Sequence, residues 1–270
     1  MSMPVRFSFI IPVKDQVRLT RDCLLSWFAH IGSLRSQSEI LIVDDGSSET
    51  SKSFLRSLPA PIRVLENAEN QGFAHSNNRA AQEACGEFLI MLNNDLVLQR
   101  GWLDAMLAVV NAGSADRIVG NVQRSRCTGR VDHAGKFFDE GRDPRHFGQF
   151  HESLFPWDPP LDFCRFPSVT AACWLVKRSV FTGLGGFDTA YRNGFEDDDF
   201  CLRAAEQGIE VGVATRSWVY HYVSPSDGRK THEDQNRNLF LERWGSLAQR
   251  WHDREYAPLL QLLRSWSCQK

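Results

Sequence analysis

Three apolar runs, each about as long as a buried strand, break off abruptly in carboxylates or amides. FSFIIPV (7–13) leads into Lys14, Asp15 and Gln16, EILIV (39–43) into Asp44 and Asp45, and FLIML (88–92) into Asn93, Asn94 and Asp95. Short apolar runs without polar alternation suit strands covered on both faces. The segments between them carry helical signals: Leu19, Cys23, Leu24 and Trp27 at helical spacing, 51–58 closed by Pro59, and the alanine-rich 74–85 stopped by Gly86. With a further short strand at 62–65, strand and helix alternate four times, the pattern of an α/β domain with a parallel sheet covered by helices. Parallel strands put their C-terminal ends on one rim, where open α/β sheets bind ligands. Asp44, Asp45 and Asp95 can therefore meet one ligand although they are far apart in sequence.

Asp95 beside two amides offers oxygen donors to a hard cation such as Mg²⁺ or Mn²⁺. The structural alternative is a polar strand-to-helix turn in which Asp or Asn caps the next helix. No GxxxxGK[ST] and no GxGxxG after the first strand are present, which excludes a P-loop and a dinucleotide fingerprint. GLGGF (183–187) follows no βα turn and is read as a loop. A helix expected over 196–207, stopped by Gly208, opens with Glu196, Asp197, Asp198 and Asp199. One or two acids there complement the helix dipole. Four repel one another and raise their own pKa values, which suits a general base. The alternative is a solvated acidic helix start with Asp199 paired to Arg203 at i,i+4.

Further helices are expected at 102–110 and 180–184, and strands at 117–122, 170–176, 209–214 and 218–223. The last carries His221 among aromatics, more often a core position than a ligand. Residues 123–168 are irregular but rich in Phe and Trp, including Phe137, Phe138, Phe147, Phe155, Trp157 and Phe166, and read as a folded, substrate-facing insertion. Its Arg124, Arg126, Arg130, Arg142 and Arg145 read as solvated loop charges. One or two amphipathic helices are expected over 233–266, packed on the domain, with an acceptor site or a peripheral membrane contact as further roles open to them. A formal net charge of −2 gives no basic field for nucleic acid. Seven cysteines without a CxxC pair point to reduced thiols rather than a disulfide framework or a zinc site. With a strand at the start in place of a signal peptide, and no run of about 20 apolar residues, the expectation is a soluble cytoplasmic protein.

Taken in order, FSFIIPVKD, EILIVDDGSS, NQGFAHSNNRAAQEACGEFLIMLNNDL and GGFDTAYRNGFEDDDFCLRAAEQG followed by a histidine resemble glycosyltransferase family 2 over residues 6–223. The branch most resembled builds bacterial polysaccharides and includes rhamnosyltransferase-like members. The resemblance implies a GT-A fold, with a mostly parallel, Rossmann-like sheet flanked by helices. Residues 1–230 would form the domain, with 1–122 as its nucleotide-sugar half and 123–230 as its acceptor half, and 231–270 a helical extension.

It also implies an inverting transferase that takes a sugar from a nucleotide-diphosphate donor to a glycan, lipid-linked or protein-linked acceptor. Pro12, Val13, Asp15, Asp44 and Asp45 match the family's nucleotide site, one of the acid pair meeting the base. Asn70, Gly72, Asn77 and Asn78 match the segment near the nucleotide. Asn93, Asn94 and Asp95 occupy the metal motif, with Asp95 as ligand of Mn²⁺ or Mg²⁺ and His221 completing its shell. Glu196 and Asp197 match the acidic pair, with Asp197 as the base. The chain departs from the family at Asn93, which replaces the motif's first carboxylate, and at Asn77, where a basic residue is common. A sugar-phosphate nucleotidyltransferase and a binding module without turnover are the competing readings.

Overall fold

A computed structural model of the chain describes residues 4–113, 116–150, 161–223 and 231–257. Its centre is a sheet in which β1 (Phe7–Val13), β2 (Ser38–Asp45), β3 (Ile62–Asn67) and β4 (Phe88–Leu92) run parallel. Helices α1 (Val17–His30), α2 (Glu49–Arg56) and α3 (Phe73–Glu83) connect them. Side chains on these strands alternate between two cores, as a pleat of period two requires. Ile10, Leu41, Leu89 and Met91 enter one core, and Phe9, Ile11, Ile40, Ile42 and Ile90 the other. Burial on both faces explains why the strands read as unbroken apolar runs.

Beyond β4 the sheet turns mixed. After β5 (Leu96–Val97) and α4 (Trp102–Asn111), β6 (Arg117–Ser125) lies two places from β4. The strand between them runs antiparallel to both, so the sheet is not parallel throughout.

The insertion is more regular than its composition implied. It holds β7 (Val131–His133), β8 (Lys136–Phe138), β9 (Pro144–His146), α5 (Phe147–Phe150) and β10 (Phe163–Arg165). Strands of three residues are too short to show a period. Phe137 and Phe147 join the first core, and Phe166 packs against it. Phe155 and Trp157 lie outside the described residues. Arg124, expected in solvent, is buried on β6, which extends to Ser125. Arg145 instead stays half exposed and pairs with Asp139 at 2.7 Å.

The intervening antiparallel strand is β11 (Cys173–Lys177), followed by α6 (Arg178–Gly183) and α7 (Glu196–Glu206). The two strands expected at 209–223 are one, β12 (Glu210–His221), which shifts register between Ala214 and Trp218. There Thr215 turns its amide to the Asp162 carbonyl at 3.0 Å, and the strand resumes beside β6. Among the described residues the C-terminal part holds one α-helix, α8 (Glu233–Trp251), followed by a π-helical turn over His252–Tyr256. Phe240 and Ala248 of α8 pack with Phe138, Tyr191 and Leu202 in a third core. The remainder of the helical stretch expected over 233–266, from residue 258 on, lies outside the described residues. No helix among the described residues is long and apolar enough to cross a membrane.

Candidate active site

The C-terminal ends of β1, β2 and β4 border a cavity of about 330 Å³. Pro12, Val13 and Asp15 line it from β1, Asp45 from β2, and Asn93, Asn94 and Asp95 from β4. The opposite wall is built from the second part of the chain: Lys136, His146, Glu196, Asp197 and His221.

Asp95 and His221 meet because β5 pairs with the end of β12, placing His221 opposite Leu96. The His221 Nε2 lies 3.1 Å from Asp95 Oδ1, and both residues are buried. On the far side of the ring, Asp132 Oδ2 is 3.9 Å from Nδ1. At that distance Asp132 does not hydrogen-bond the ring, and His221 Nδ1 has no hydrogen-bond partner among the described residues. Among the described residues no group of three or more His, Cys, Asp or Glu could hold a metal. One carboxylate and one imidazole still fit a cation that draws its other ligands from diphosphate oxygens and water.

The remaining rim residues divide into engaged and available groups. Asp15 Oδ1 accepts the Ser48 N–H at 2.9 Å and the hydroxyls of Ser48 and Ser51 at 2.6 and 3.0 Å, so it braces the start of α2. These bonds, the Ser48 hydroxyl foremost, lower its pKa. Asp45 accepts Asn67 Nδ2 and the Gln71 N–H through Oδ1, and the Gly72 N–H through Oδ2. Asp44 is fully buried behind the rim, with Oδ1 on the Ser47 N–H and no partner for Oδ2 among the described residues.

Asn70 lines the cavity and accepts the Gly72 N–H at 3.0 Å. Gly72 has φ +88°, a turn that favours glycine, and hands the chain to α3. Asn94 donates to Thr20 Oγ1 at 3.0 Å. Asn77 and Asn78 do not line the cavity. Asn77 Nδ2 bonds the Phe73 carbonyl one turn back in α3. The Asn78 amide clasps Phe187 by both its N–H and its C=O, at 2.9 and 2.8 Å. That clasp explains Gly186, where a Cβ would come within 2.6 Å of Asn78 Oδ1.

All four acids opening α7 are buried, so the solvated alternative does not hold. Asp199 faces away from the cavity and does form the i,i+4 pair with Arg203, at 2.8 Å. Glu196, Asp197 and Asp198 cluster around a residue that sequence patterning passed over, Lys136 of β8. Its Nζ is 3.0 Å from Asp197 Oδ2 and 3.0 Å from Asp198 Oδ2. Asp197 Oδ2 also accepts the Ala171 N–H, and Ser168 Oγ donates to Asp198 Oδ1.

Burial and the adjacent Asp197 charge push Glu196 up to about 7, although its Oε2 accepts the Gly194 N–H at 2.6 Å. Burial opposes ionisation of Asp197 too, but the Lys136 ammonium outweighs it and lowers the pKa. Asp198 shares that ammonium and is raised, by burial and by the Asp197 charge. Beside them His133 Nδ1 is 3.1 Å from His146 Nδ1, and burial with the neighbouring imidazole keeps His133 well below its usual pKa. Lys136, Asp132, His133 and His146 all come from the insertion. The only sequence signal for them was polar residues set among aromatics, and no spacing ties them to α7.

Residues 8–184 match the family model described as Glycosyl transferase family 2. The chain is 27% identical over 264 residues to the uncharacterized protein y4gI of Sinorhizobium fredii, covering 93% of this chain and 28% of that protein. It is 28% identical over 229 residues to the O-antigen biosynthesis protein RfbC of Myxococcus xanthus, covering 82% of this chain and 18% of that one. The chain thus spans less than a third of the length of these two relatives. Among solved structures, the mannosyltransferase PcManGT from Pyrobaculum calidifontis, in complex with GDP-Man and Mn²⁺, superposes with a TM-score of 0.63 at 20% identity. That match covers 87% of this chain and 61% of the other, and gives the fold as GT-A.

Proposed function

The chain belongs to glycosyl transferase family 2, and from that premise we propose that it moves a sugar from a nucleotide-diphosphate donor to an acceptor hydroxyl with inversion. The observation that carries the reading is one cavity lined both by the Asp95–His221 pair and by the Glu196–Asp197 pair. One pair suits a diphosphate and the other an attacking hydroxyl.

Asp95 and His221 would hold Mn²⁺ or Mg²⁺, and that cation would supply Lewis-acid stabilisation to the departing nucleoside diphosphate. Asp197 is the proton acceptor in this reading, because the Lys136 ammonium keeps it ionised. Its two bonds through Oδ2 fix its orientation, so little reorganisation is needed when a hydroxyl approaches from the face opposite the leaving group. The nucleoside lies along the rim made by β1 and β2, where Pro12, Val13 and Asp45 line the wall. The acceptor enters past the insertion and is a glycan, a lipid-linked sugar or a protein-linked one.

Release of nucleoside diphosphate from UDP-, dTDP- and GDP-sugars, with Mn²⁺ or Mg²⁺ and then with chelator, tests the proposal and names the donor. Metal-dependent release from one donor is expected. Nucleotide binding without release, with a range of glycan acceptors present, would leave a binding module. Asp197→Asn should lower turnover by about 10²–10⁴-fold, the usual contribution of a general base, and leave nucleotide affinity nearly unchanged.

A further inference from the structure

Lys136 is the one lysine buried among the described residues, at 6% exposure. A buried ammonium is costly unless it is paired and hydrogen-bonded, so its place beside Asp197 and Asp198 needs a reason. It arrives on β8, whose backbone is fixed on both sides. The Lys136 N–H donates to the Ser168 carbonyl at 2.9 Å, and Lys136 stands opposite His146 in the β8–β9 pair. Ser168 in turn donates through Oγ to Asp198, so the strand and its side chain grip the same helix start twice. Lys136 also lines the cavity itself.

We propose that Lys136 is a positioning residue for the transfer reaction, its ammonium holding Asp197 charged and aimed into the cavity from the insertion. The proposal rests on Asp197 being the proton acceptor. The charged and titratable groups that face Asp197 are Lys136 on β8, His146 on β9, and Glu196, Asp198 and the Cys201 thiol on its own helix. Of these, Lys136 alone reaches it with a hydrogen bond from a cation. Removing the ammonium leaves burial and the Glu196 and Asp198 carboxylates, all of which favour the protonated acid, with His146 as a weaker opposing charge. Protonated Asp197 accepts no proton from a hydroxyl. The acid limb of the rate profile must then move to higher pH.

The test uses Lys136→Met, Lys136→Arg and the double variant Lys136→Met with Asp198→Asn, which removes one charge of each sign and protects folding. Aspartate carboxyl carbons are followed by NMR against pH, with Asp197→Asn to assign the signal. The kcat and KM of nucleotide release are measured over the same range with the donor found in the panel. In Lys136→Met Asp197 should titrate about 1–3 pH units higher than in the wild type, the usual effect of losing a close opposite charge, and in the double variant, where a like charge goes as well, it should still rise but by less. The acid limb of kcat should follow it, with donor KM unchanged, while Lys136→Arg keeps the wild-type profile. A double variant that folds and titrates like the wild type overturns the proposal and leaves Lys136 a packing contact. A wild type that turns over no donor overturns the transferase reading by itself, and the NMR titration still supports or overturns the coupling of Lys136 to Asp197.

Discussion

Glu196 sits where burial and a neighbouring charge both oppose its ionisation, and folding has to bear that cost. Its folded pKa of about 7 lies above the value of an exposed glutamate. Between those two values the folded state binds more protons than the unfolded chain, so stability falls as pH rises. Glu196→Gln stays neutral and escapes the penalty. It should match the wild type in urea melts near pH 4.5 and exceed it by on the order of 2 kcal/mol at pH 8. Equal stabilities at pH 8 would mean the carboxylate ionises there without cost. Residues of this kind divide by how much sequence reveals. Asp95 was legible because it ends a buried strand, and strand ends share a rim. Lys136 was not, because nothing in KFF says that its partners arrive some sixty residues later on a helix. The roles of Asp15 and Asn78 were invisible for a related reason. Both are polar residues in motif positions whose side chains close on backbone and serine groups brought in by folding.

Helix α7 works as an element with two faces. Glu196 and Asp197 line the cavity and Asp198 is buried against Lys136 and Ser168, while Asp199, one residue on, turns to α8. There Asp199 Oδ1 accepts the Trp244 indole N–H at 2.8 Å, and Oδ2 holds Arg203. The Arg203 pair follows from i,i+4 spacing and was readable. The Trp244 bond depends on how α8 docks and was not. Asp199→Ala strips the acceptor from two donors at a site that is 1% exposed. The expected cost is about 2–4 kcal/mol, less than for an isolated buried pair because Arg203 keeps its bonds to the Leu184 and Gly186 carbonyls. Chemical denaturation measures that loss, and nucleotide affinity of the folded protein should not change. A variant as stable as the wild type would show that α8 is held without this contact. Strands β8 and β9 mark the limit of reading elements from sequence. At three residues each they carry no periodicity, yet they deliver Lys136 and His146 to the site.

At the scale of the whole molecule, the cavity is a seam between two parts of the chain that share a core. Ile10 and Met91 from the first part pack in one cluster with Trp174 and Val213 from the second. Asn193 Oδ1 accepts the Phe73 N–H across the seam at 3.0 Å, and the Asn78 clasp on Phe187 adds a second tie. Both parts of the chain line the cavity, and they should not unfold separately. Ligand binding to the native state must then raise one transition. At a concentration 100 times its Kd, a nucleoside diphosphate with Mn²⁺ contributes about 2.7 kcal/mol, or roughly 5 °C in Tm for a chain of this size. Chelator should remove most of that shift if Asp95 and His221 hold the cation between them. Asp95→Ala should lose the same metal-dependent part and retain what nucleotide alone provides. A scan that separates into two transitions, only one responding to nucleotide, would contradict the shared core. A shift indifferent to both chelator and Asp95→Ala would remove the pair from metal binding, and the leaving diphosphate would then have to be met by cationic side chains such as Lys14 at the cavity rim.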